Sequence, residues 1–257
     1  MDLVNVSPEI LVFLFMAAFL AGFLDTLAGG GGLIVLPALI ISGIPPLLAL
    51  GTNKLQGTMG TATASVMMLR SRKVRWDEIR YPMFLAFLGS AAGTIAVQFI
   101  NTELLVFVIP LVLVCIAAYF ILSPLIQSQQ SGARISSQNY RRFIVPVIGW
   151  YDGMFGPGTG SFFAVAGVSL RGMNLIDATA NAKTLNFATN FASLLIFLIA
   201  GKVVWLAGLI MMVGQFAGAW GGSKCLLSIH PNYLRILVVT MCLAMLGKYA
   251  LTIGWIG

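Results

Sequence analysis

The sequence has 257 residues, of which 59% are hydrophobic and only 9% are charged. A soluble domain of this size cannot hide so much apolar surface from water, so the composition excludes that class and indicates a polytopic membrane protein. The net charge of +7 does not indicate nucleic-acid binding, because the basic residues lie mostly in short loops where membrane orientation explains them. The three cysteines are isolated, which gives no support for a metal site, and no cofactor is expected.

The first half of the chain, residues 1–125, is predicted to form five apolar segments. They cover residues 8–28, 33–42, 46–69, 82–100 and 104–122. Because no Lys or Arg precedes the first segment, we interpret it as a retained helix rather than a cleaved signal. It ends in four consecutive glycines, and each glycine destabilises a helix by about 1 kcal/mol relative to alanine, which predicts a break at residues 29–32. The next segment is short enough to be re-entrant, although a full span stays open.

The second half, residues 140–257, repeats this plan after a Ser- and Gln-rich linker at residues 126–139. Its segments cover residues 142–155, 161–170, 174–200, 202–222 and 233–255, with a glycine break at residues 156–160. Single residues also match, since Lys54 corresponds to Lys183. Glycines four apart recur in both fourth segments and are interpreted as packing positions: Gly89 and Gly93, then Gly214, Gly218 and Gly222. The sequence therefore predicts an all-α membrane protein of two repeats with glycine-broken or re-entrant helices and about eight to ten membrane segments.

The charged loops predict how the chain is oriented in the membrane. Basic residues concentrate at residues 70–80 and 134–142, so both loops are expected on the cytoplasmic side. The N-terminal residues lack Lys and Arg and are expected outside. Each half then crosses the membrane an odd number of times, which makes the two repeats inverted and places both termini outside. The sequence leaves a homodimer open.

Two lysines and two aspartates are the main candidates for chemistry. Lys54 and Lys183 each lie inside a long apolar helix, where an ionisable group is costly and marks a functional site. The alternative is a lysine whose ammonium reaches the membrane interface, but the recurrence in both halves favours a site. Asp25 and Asp152 precede the glycine breaks. They are candidates for proton coupling, or alternatively for ion pairs with the lysines or caps of the broken helices.

The remaining candidates for substrate binding are polar residues and glycines of the same segments: Thr52, Asn53, Gln56, Asn181, Asn186, Asn190, Gly30, Gly31, Gly158 and Thr159. Helical spacing places Lys183, Asn186 and Asn190 on one face. The glycine runs can present backbone N–H groups and helix N-termini to an anion. Hydrogen bonding between helices and close helix packing are the alternatives for these residues.

The motifs AGFLDTLAGGGGL and LGTNKLQG in the first half, and GWYDGMFGPGTGSF and ATANAKTLN in the second, resemble the TauE/SafE family of membrane permeases. The chain is most similar to its small bacterial inner-membrane members, and the resemblance covers nearly the whole sequence. It implies export of a small sulfur-containing anion such as sulfite or an organosulfonate, at the bacterial inner membrane.

We therefore expect a secondary transporter of a small anion, coupled to an ion or proton gradient. There is no Walker A motif for ATP binding. A passive anion channel and a membrane anchor remain alternatives. An intramembrane enzyme is a weaker one, because the single histidine, His230, lies in a predicted loop and no HExxH motif is present.

Overall fold

The structure is a computed structural model that describes residues 7–28, 31–122 and 132–225. Within these ranges the chain forms α-helices and one π-helical segment, Tyr140–Ile144, and contains no strand. The α-helices are α1 (Pro8–Ala28), α2 (Gly32–Ile41), α3 (Pro46–Arg70), α4 (Trp76–Gln98), α5 (Thr102–Leu122), α6 (Ser137–Asn139), α7 (Val145–Met154), α8 (Thr159–Arg171), α9 (Leu175–Ile199) and α10 (Trp205–Cys225). The all-α prediction is confirmed for the described residues.

The predicted segments agree with these helices to within a few residues, with two corrections. Helix α4 begins at Trp76, not at residue 82, because Asp77 and Glu78 in its first turn favour a helix N-terminus there and Pro82 is accommodated inside the helix. The predicted linker is not irregular throughout, since Ser136 caps the short helix α6 by accepting a hydrogen bond from the backbone N–H of Asn139 at 3.1 Å. The segment predicted at residues 233–255 lies outside the described residues.

Three helical segments among the described residues are long and apolar enough to cross a bilayer. They are Pro8–Thr26, Trp76–Gln98 and Leu175–Ile199, and Gly32–Ile41 and Thr102–Ile116 are shorter apolar helices. Many large apolar side chains on these helices are exposed, among them Val12, Phe84 and Ile199. Because such a surface is unfavourable in water, it is typical of helices that face lipid.

Helices α3 and α9 pack against each other at the centre and run antiparallel. Gly51, near the start of α3, lies against the backbone carbonyl of Lys202, just beyond the end of α9. Further along α3, Gly57 lies against Asn190. Near the end of α3, Ser65 donates a hydrogen bond to the backbone carbonyl of Lys183 at 3.1 Å. Helices α3 and α9 correspond to each other in the two sequence repeats, and they therefore point in opposite directions.

Two further helix pairs, α1 with α10 and α4 with α7, pack through glycines. Gly218 and Gly222 of α10 lie against the backbone carbonyls of Phe19 and Phe23 in α1. In the same way, Gly89 and Gly93 of α4 lie against the carbonyls of Pro146 and Trp150 in α7. Since a side chain would keep these backbones apart, the glycines act as packing positions. Both pairs run parallel, and each joins one half of the chain to the other.

Helices α7 and α8 form a hairpin whose two ends lie together. The backbone N–H groups of Arg134 and Ile135, ahead of the hairpin, donate to the carbonyl of Leu170 near its end, at 2.9 and 3.2 Å. The guanidinium of Arg171 returns a hydrogen bond to the carbonyl of Ile135 at 2.7 Å. The chain therefore enters and leaves this hairpin at the same end, which is the arrangement expected of a re-entrant segment.

Candidate functional site

The two glycine breaks meet at the interface between the halves. In the second break, Gly156 and Gly158 have φ angles of 95° and 78°, which glycine adopts readily and other residues rarely do. Helix α8 already begins at Thr159, so the predicted break at residues 156–160 is too long by its last two residues. In the first break, Gly29 and Gly30 lie outside the described residues, and Gly32 packs against Pro157.

Each of the two lysines forms an ion pair with the aspartate of the opposite half. Lys54 Nζ lies 2.9 Å from Asp152 Oδ2, and Lys183 Nζ lies 3.3 Å from Asp25 Oδ2. All four residues are buried. The Lys54–Asp152 contact is an ion pair whose angles do not meet hydrogen-bond geometry. The alternative in which each ammonium reaches the membrane interface is wrong for both lysines, because both ammonium groups are buried beside an aspartate.

Both aspartates also bind the chain beyond the glycine break that follows them. Asp152 Oδ1 accepts a hydrogen bond from the Thr159 hydroxyl at 2.7 Å, and Asp25 Oδ1 accepts one from the backbone N–H of Gly31 at 3.3 Å. Lys183 Nζ also donates to the backbone carbonyl of Asp25. Each carboxylate thus connects a lysine of the opposite half to the start of the short helix in its own half, where negative charge is favourable.

A small cavity lies between the breaks and the central helices. The centre of a water-sized sphere can move through about 30 Å³ of it, which is room for an ion of a few atoms. Its walls are polar side chains and glycines from both halves: Asp25, Gly31, Gly32, Asn53, Gln56, Gly57, Thr61, Gly156, Gly158, Thr159, Gly160, Asn186, Asn190 and Gln215. The N-terminal residues of α2 and α8 are both in this wall. The cavity therefore has the partial positive charge of two helix N-termini on its border.

Amide side chains form much of the remaining wall. Gln56 Nε2 donates to Asn53 Oδ1 at 2.9 Å on α3, and Asn190 Nδ2 donates to Asn186 Oδ1 at 3.1 Å on α9. The Oε1 atoms of Gln56 and Gln215 are buried and have no hydrogen-bond partner among the described residues. A buried oxygen left without a partner costs about 1–3 kcal/mol, which is typical of a site that is not optimised for stability alone.

The structure brings most, but not all, of the predicted site residues together. Those in the cavity wall are Asp25, Gly31, Asn53, Gln56, Gly158, Thr159, Asn186 and Asn190. Lys54, Lys183 and Asp152 lie behind the wall as partners in the ion pairs. Thr52 and Asn181 are outside it: the Thr52 hydroxyl accepts from the Val204 N–H at 3.0 Å, and Asn181 donates to the Asp177 carbonyl at 3.0 Å. Gly30 lies outside the described residues.

Sequence reasoning missed Gln215 of α10. This residue is buried, lies in the cavity wall and packs against Gly60 of α3. The available signal was an uncharged polar residue between Gly214 and Gly218 in an apolar segment, since an amide inside the membrane is expected to face a partner or a cavity.

Comparison with known proteins places this architecture in a family. The family model described as sulfite exporter TauE/SafE matches residues 14–249 of the chain. The chain belongs to the TauE/SafE family. A TauE/SafE member is expected to be a multi-pass membrane protein, and the long apolar helices agree with that.

Several TauE/SafE relatives match over nearly the full length. A "Probable membrane transporter protein" of Haemophilus influenzae is 39% identical over 251 residues, 98% of each chain. "Probable membrane transporter protein YfcA" of Escherichia coli K12 is 40% identical over 247 residues, 96% of this chain and 92% of the relative. "Probable membrane transporter protein ORF9" of a Sinorhizobium species is 40% identical over 241 residues, 94% of this chain and 92% of the relative. No solved structure matches the chain. The relatives support a transport role rather than an enzymatic one.

Proposed function

We propose that this TauE/SafE protein is a secondary transporter that exports a small anion through the cavity between its halves. The observation that carries the proposal is one polar cavity bordered by two helix N-termini and supported by two reciprocal ion pairs between the halves. Broken helices whose N-terminal ends face a central site are the arrangement by which transporters bind anionic groups.

The proposed substrate is a small oxyanion such as sulfite or an organosulfonate. The sulfite exporter description of the family supports the sulfur chemistry. The N-termini of α2 and α8 supply partial positive charge at the cavity, and the side-chain nitrogen of Asn53 is available as a donor. Lys54 and Lys183 add full positive charges directly behind this wall.

We further propose that the two halves are inverted repeats that rock around the cavity, with both termini outside the inner membrane. The antiparallel packing of the equivalent helices α3 and α9 supports inversion, because a two-fold axis in the membrane plane relates helices in that way. Inversion is also supported by the glycine contacts, because the first helix of each half packs against the fourth helix of the other half: α1 against α10 and α7 against α4. The small volume of the cavity fits a state in which the site is closed around its ligand position.

The test is counterflow in proteoliposomes made with the purified full-length protein. Vesicles loaded with unlabelled sulfite, thiosulfate, sulfoacetate or acetate are diluted into radiolabelled sulfite. The proposal expects saturable uptake that is stimulated by internal sulfite and by other small sulfur oxyanions. Uptake that rises linearly with concentration and shows no stimulation would indicate a channel, and uptake equal to that of protein-free vesicles would contradict transport of sulfite. Lys73→Gln, in the exposed basic loop, is the control for a general loss of positive charge.

A further inference from the structure

We propose that the two ion pairs have unequal roles: Asp25 takes up the proton that accompanies the anion, whereas Asp152 is a positioning residue. This inference rests on the transport function proposed above. The sequence makes the two aspartates equivalent, and the difference comes from their surroundings in the folded chain.

The first difference between the aspartates is access to the cavity. Asp25 is part of the cavity wall and is 9% exposed, whereas Asp152 is not in the wall and is 1% exposed. A proton and an anion that share one cavity can both reach Asp25. Asp152 contacts the wall through Thr159, whose hydroxyl binds its carboxylate at 2.7 Å.

The second difference is how tightly each carboxylate is held. Asp152 has short contacts on both oxygens, 2.9 Å to Lys54 Nζ and 2.7 Å to the Thr159 hydroxyl. Asp25 has longer contacts on its oxygens, 3.3 Å to Lys183 Nζ and 3.3 Å to the Gly31 N–H. Asp152 is therefore held closely on both oxygens, which fits a positioning role.

Lys183 is the counter-ion of Asp25 among the charged groups that the structure describes. Helix α2 carries no charged residue, and in α3 the nearest buried cation, Lys54, is bound to Asp152. In α8 the basic residue is Arg171, in the last turn, where it binds the Ile135 carbonyl. In α10, Gly222 lies against Phe23, so Lys224 follows at about the level of Asp25, with its side chain outside the described part of the chain. Among the described residues, Lys183 is the cation in contact with Asp25.

Protonation of Asp25 would link proton and anion binding. The carboxylate gains one proton and becomes a neutral acid, while Lys183 keeps its proton and its positive charge. That charge is then without a counter-ion in a poorly solvated place, and an anion in the cavity restores the balance. Proton and anion therefore favour each other's binding and cross together, and release of the anion favours release of the proton. Export on this basis is driven by the outward gradient of the anion, because the accompanying proton moves outward as well.

The test measures protons moved per anion in proteoliposomes with radiolabelled sulfoacetate outside and a pH-sensitive dye inside. We chose sulfoacetate because its acidic groups stay ionised near neutral pH. For Asp25→Asn we expect anion exchange without proton movement and without dependence on external pH. Asp152→Asn is the matched control and should keep the wild-type proton-to-anion ratio at a lower rate. Loss of the ratio in Asp152→Asn, its retention in Asp25→Asn, or wild-type sulfoacetate flux without protons would overturn the inference.

A second measurement does not depend on transport or on the single variants folding. Infrared difference spectra of the purified protein during a pH titration report the carbonyl band of a protonated carboxyl group. Subtracting the variant spectra from the wild type should leave a carboxyl component for Lys183→Met with Asp25→Asn and none for Lys54→Met with Asp152→Asn, since each double variant removes a whole ion pair. The opposite result would overturn the assignment to Asp25. If sulfoacetate and sulfite both fail to move while the band behaves as expected, the proposed function fails and the assignment stands.

Discussion

Lys54 is among the most deeply buried side chains of the described chain, and it is stable there because Asp152 of the other half lies 2.9 Å from its ammonium. Removing one partner of a buried pair leaves an uncompensated charge, which costs about 3–5 kcal/mol. Asp152→Asn should therefore lower the stability of the protein in detergent by about that amount, measured by chemical unfolding. Adding Lys54→Met to the variant should recover most of the loss. Unchanged stability in Asp152→Asn would contradict the strong pairing.

Gln215 is the residue for which stability and function should change in opposite directions. Its amide oxygen is buried without a partner among the described residues, so Gln215→Leu removes a destabilising group and should leave the unfolding midpoint unchanged or higher. Because the amide lies in the cavity wall, sulfite counterflow should fall at least several-fold. Gln98→Leu is the control, since Gln98 donates to Thr94 of its own helix. A drop in stability with normal transport would show that Gln215 only fills space.

The sequence was sufficient to single out the residues of the ion pairs but not their connections. Charge inside apolar segments and its recurrence identified Lys54, Lys183, Asp25 and Asp152. Which lysine meets which aspartate depends on how the halves cross, and a periodicity within one helix carries no information about that. For the same reason Thr52 was grouped with Asn53, although its hydroxyl turns to the start of α10 instead of the cavity.

At the scale of helices, close backbone contact through glycine is the main packing device. A Cβ on Gly218 of α10 would overlap the carbonyl oxygen of Phe19, whereas a Cβ on Gly221 would have its nearest neighbour, Phe23 Cδ2, at 3.8 Å. Gly218→Ala should therefore destabilise the protein by about 1–3 kcal/mol through separation of α1 and α10. Gly221→Ala, three residues further along the same helix, should have little effect. Equal unfolding midpoints for the two variants would show that this contact is looser than described.

The hairpin of α7 and α8, whose two ends lie together, predicts which loops share a side of the membrane. In a variant without the native cysteines, Gln138→Cys before the hairpin and Leu175→Cys after it should react with a membrane-impermeant thiol reagent from the same side. Glu103→Cys, in the first turn of α5, should react from the opposite side. All three positions are exposed. If Gln138→Cys and Leu175→Cys react from opposite sides, the hairpin crosses the membrane.

Helix positions were largely predictable because apolar runs and glycine breaks are local signals. The bounds of α1 match the prediction, and those of α3 and α9 differ from it by one residue. The hairpin of α7 and α8 was not predictable, because a segment of the length of α8 is compatible with either a re-entrant or a spanning path. The deciding contact, from Arg171 to the Ile135 carbonyl, joins residues 36 positions apart and leaves no periodic signal.

For the whole molecule, both halves contribute to every part of the proposed site. Residues 1–125 and residues 140–257 both contribute to each ion pair, to each glycine-packed helix pair and to the cavity wall. Neither half therefore has the site by itself. The division into these two repeats and a linker stays a prediction. On this account the interface between the halves is where binding and movement are linked, since rocking of one half against the other would change both ion pairs together.

The most direct test of the account is sulfite counterflow by Lys54→Gln and Lys183→Gln, reconstituted in equal amounts with the same orientation as the wild type. Both lysines supply positive charge behind the cavity wall, so each variant should lose most of the flux, with membrane insertion intact. Lys73→Gln should transport like the wild type. If both Lys54→Gln and Lys183→Gln move sulfite at the wild-type rate and with the wild-type apparent affinity, the ion pairs do not serve an anion site and the central claim is wrong.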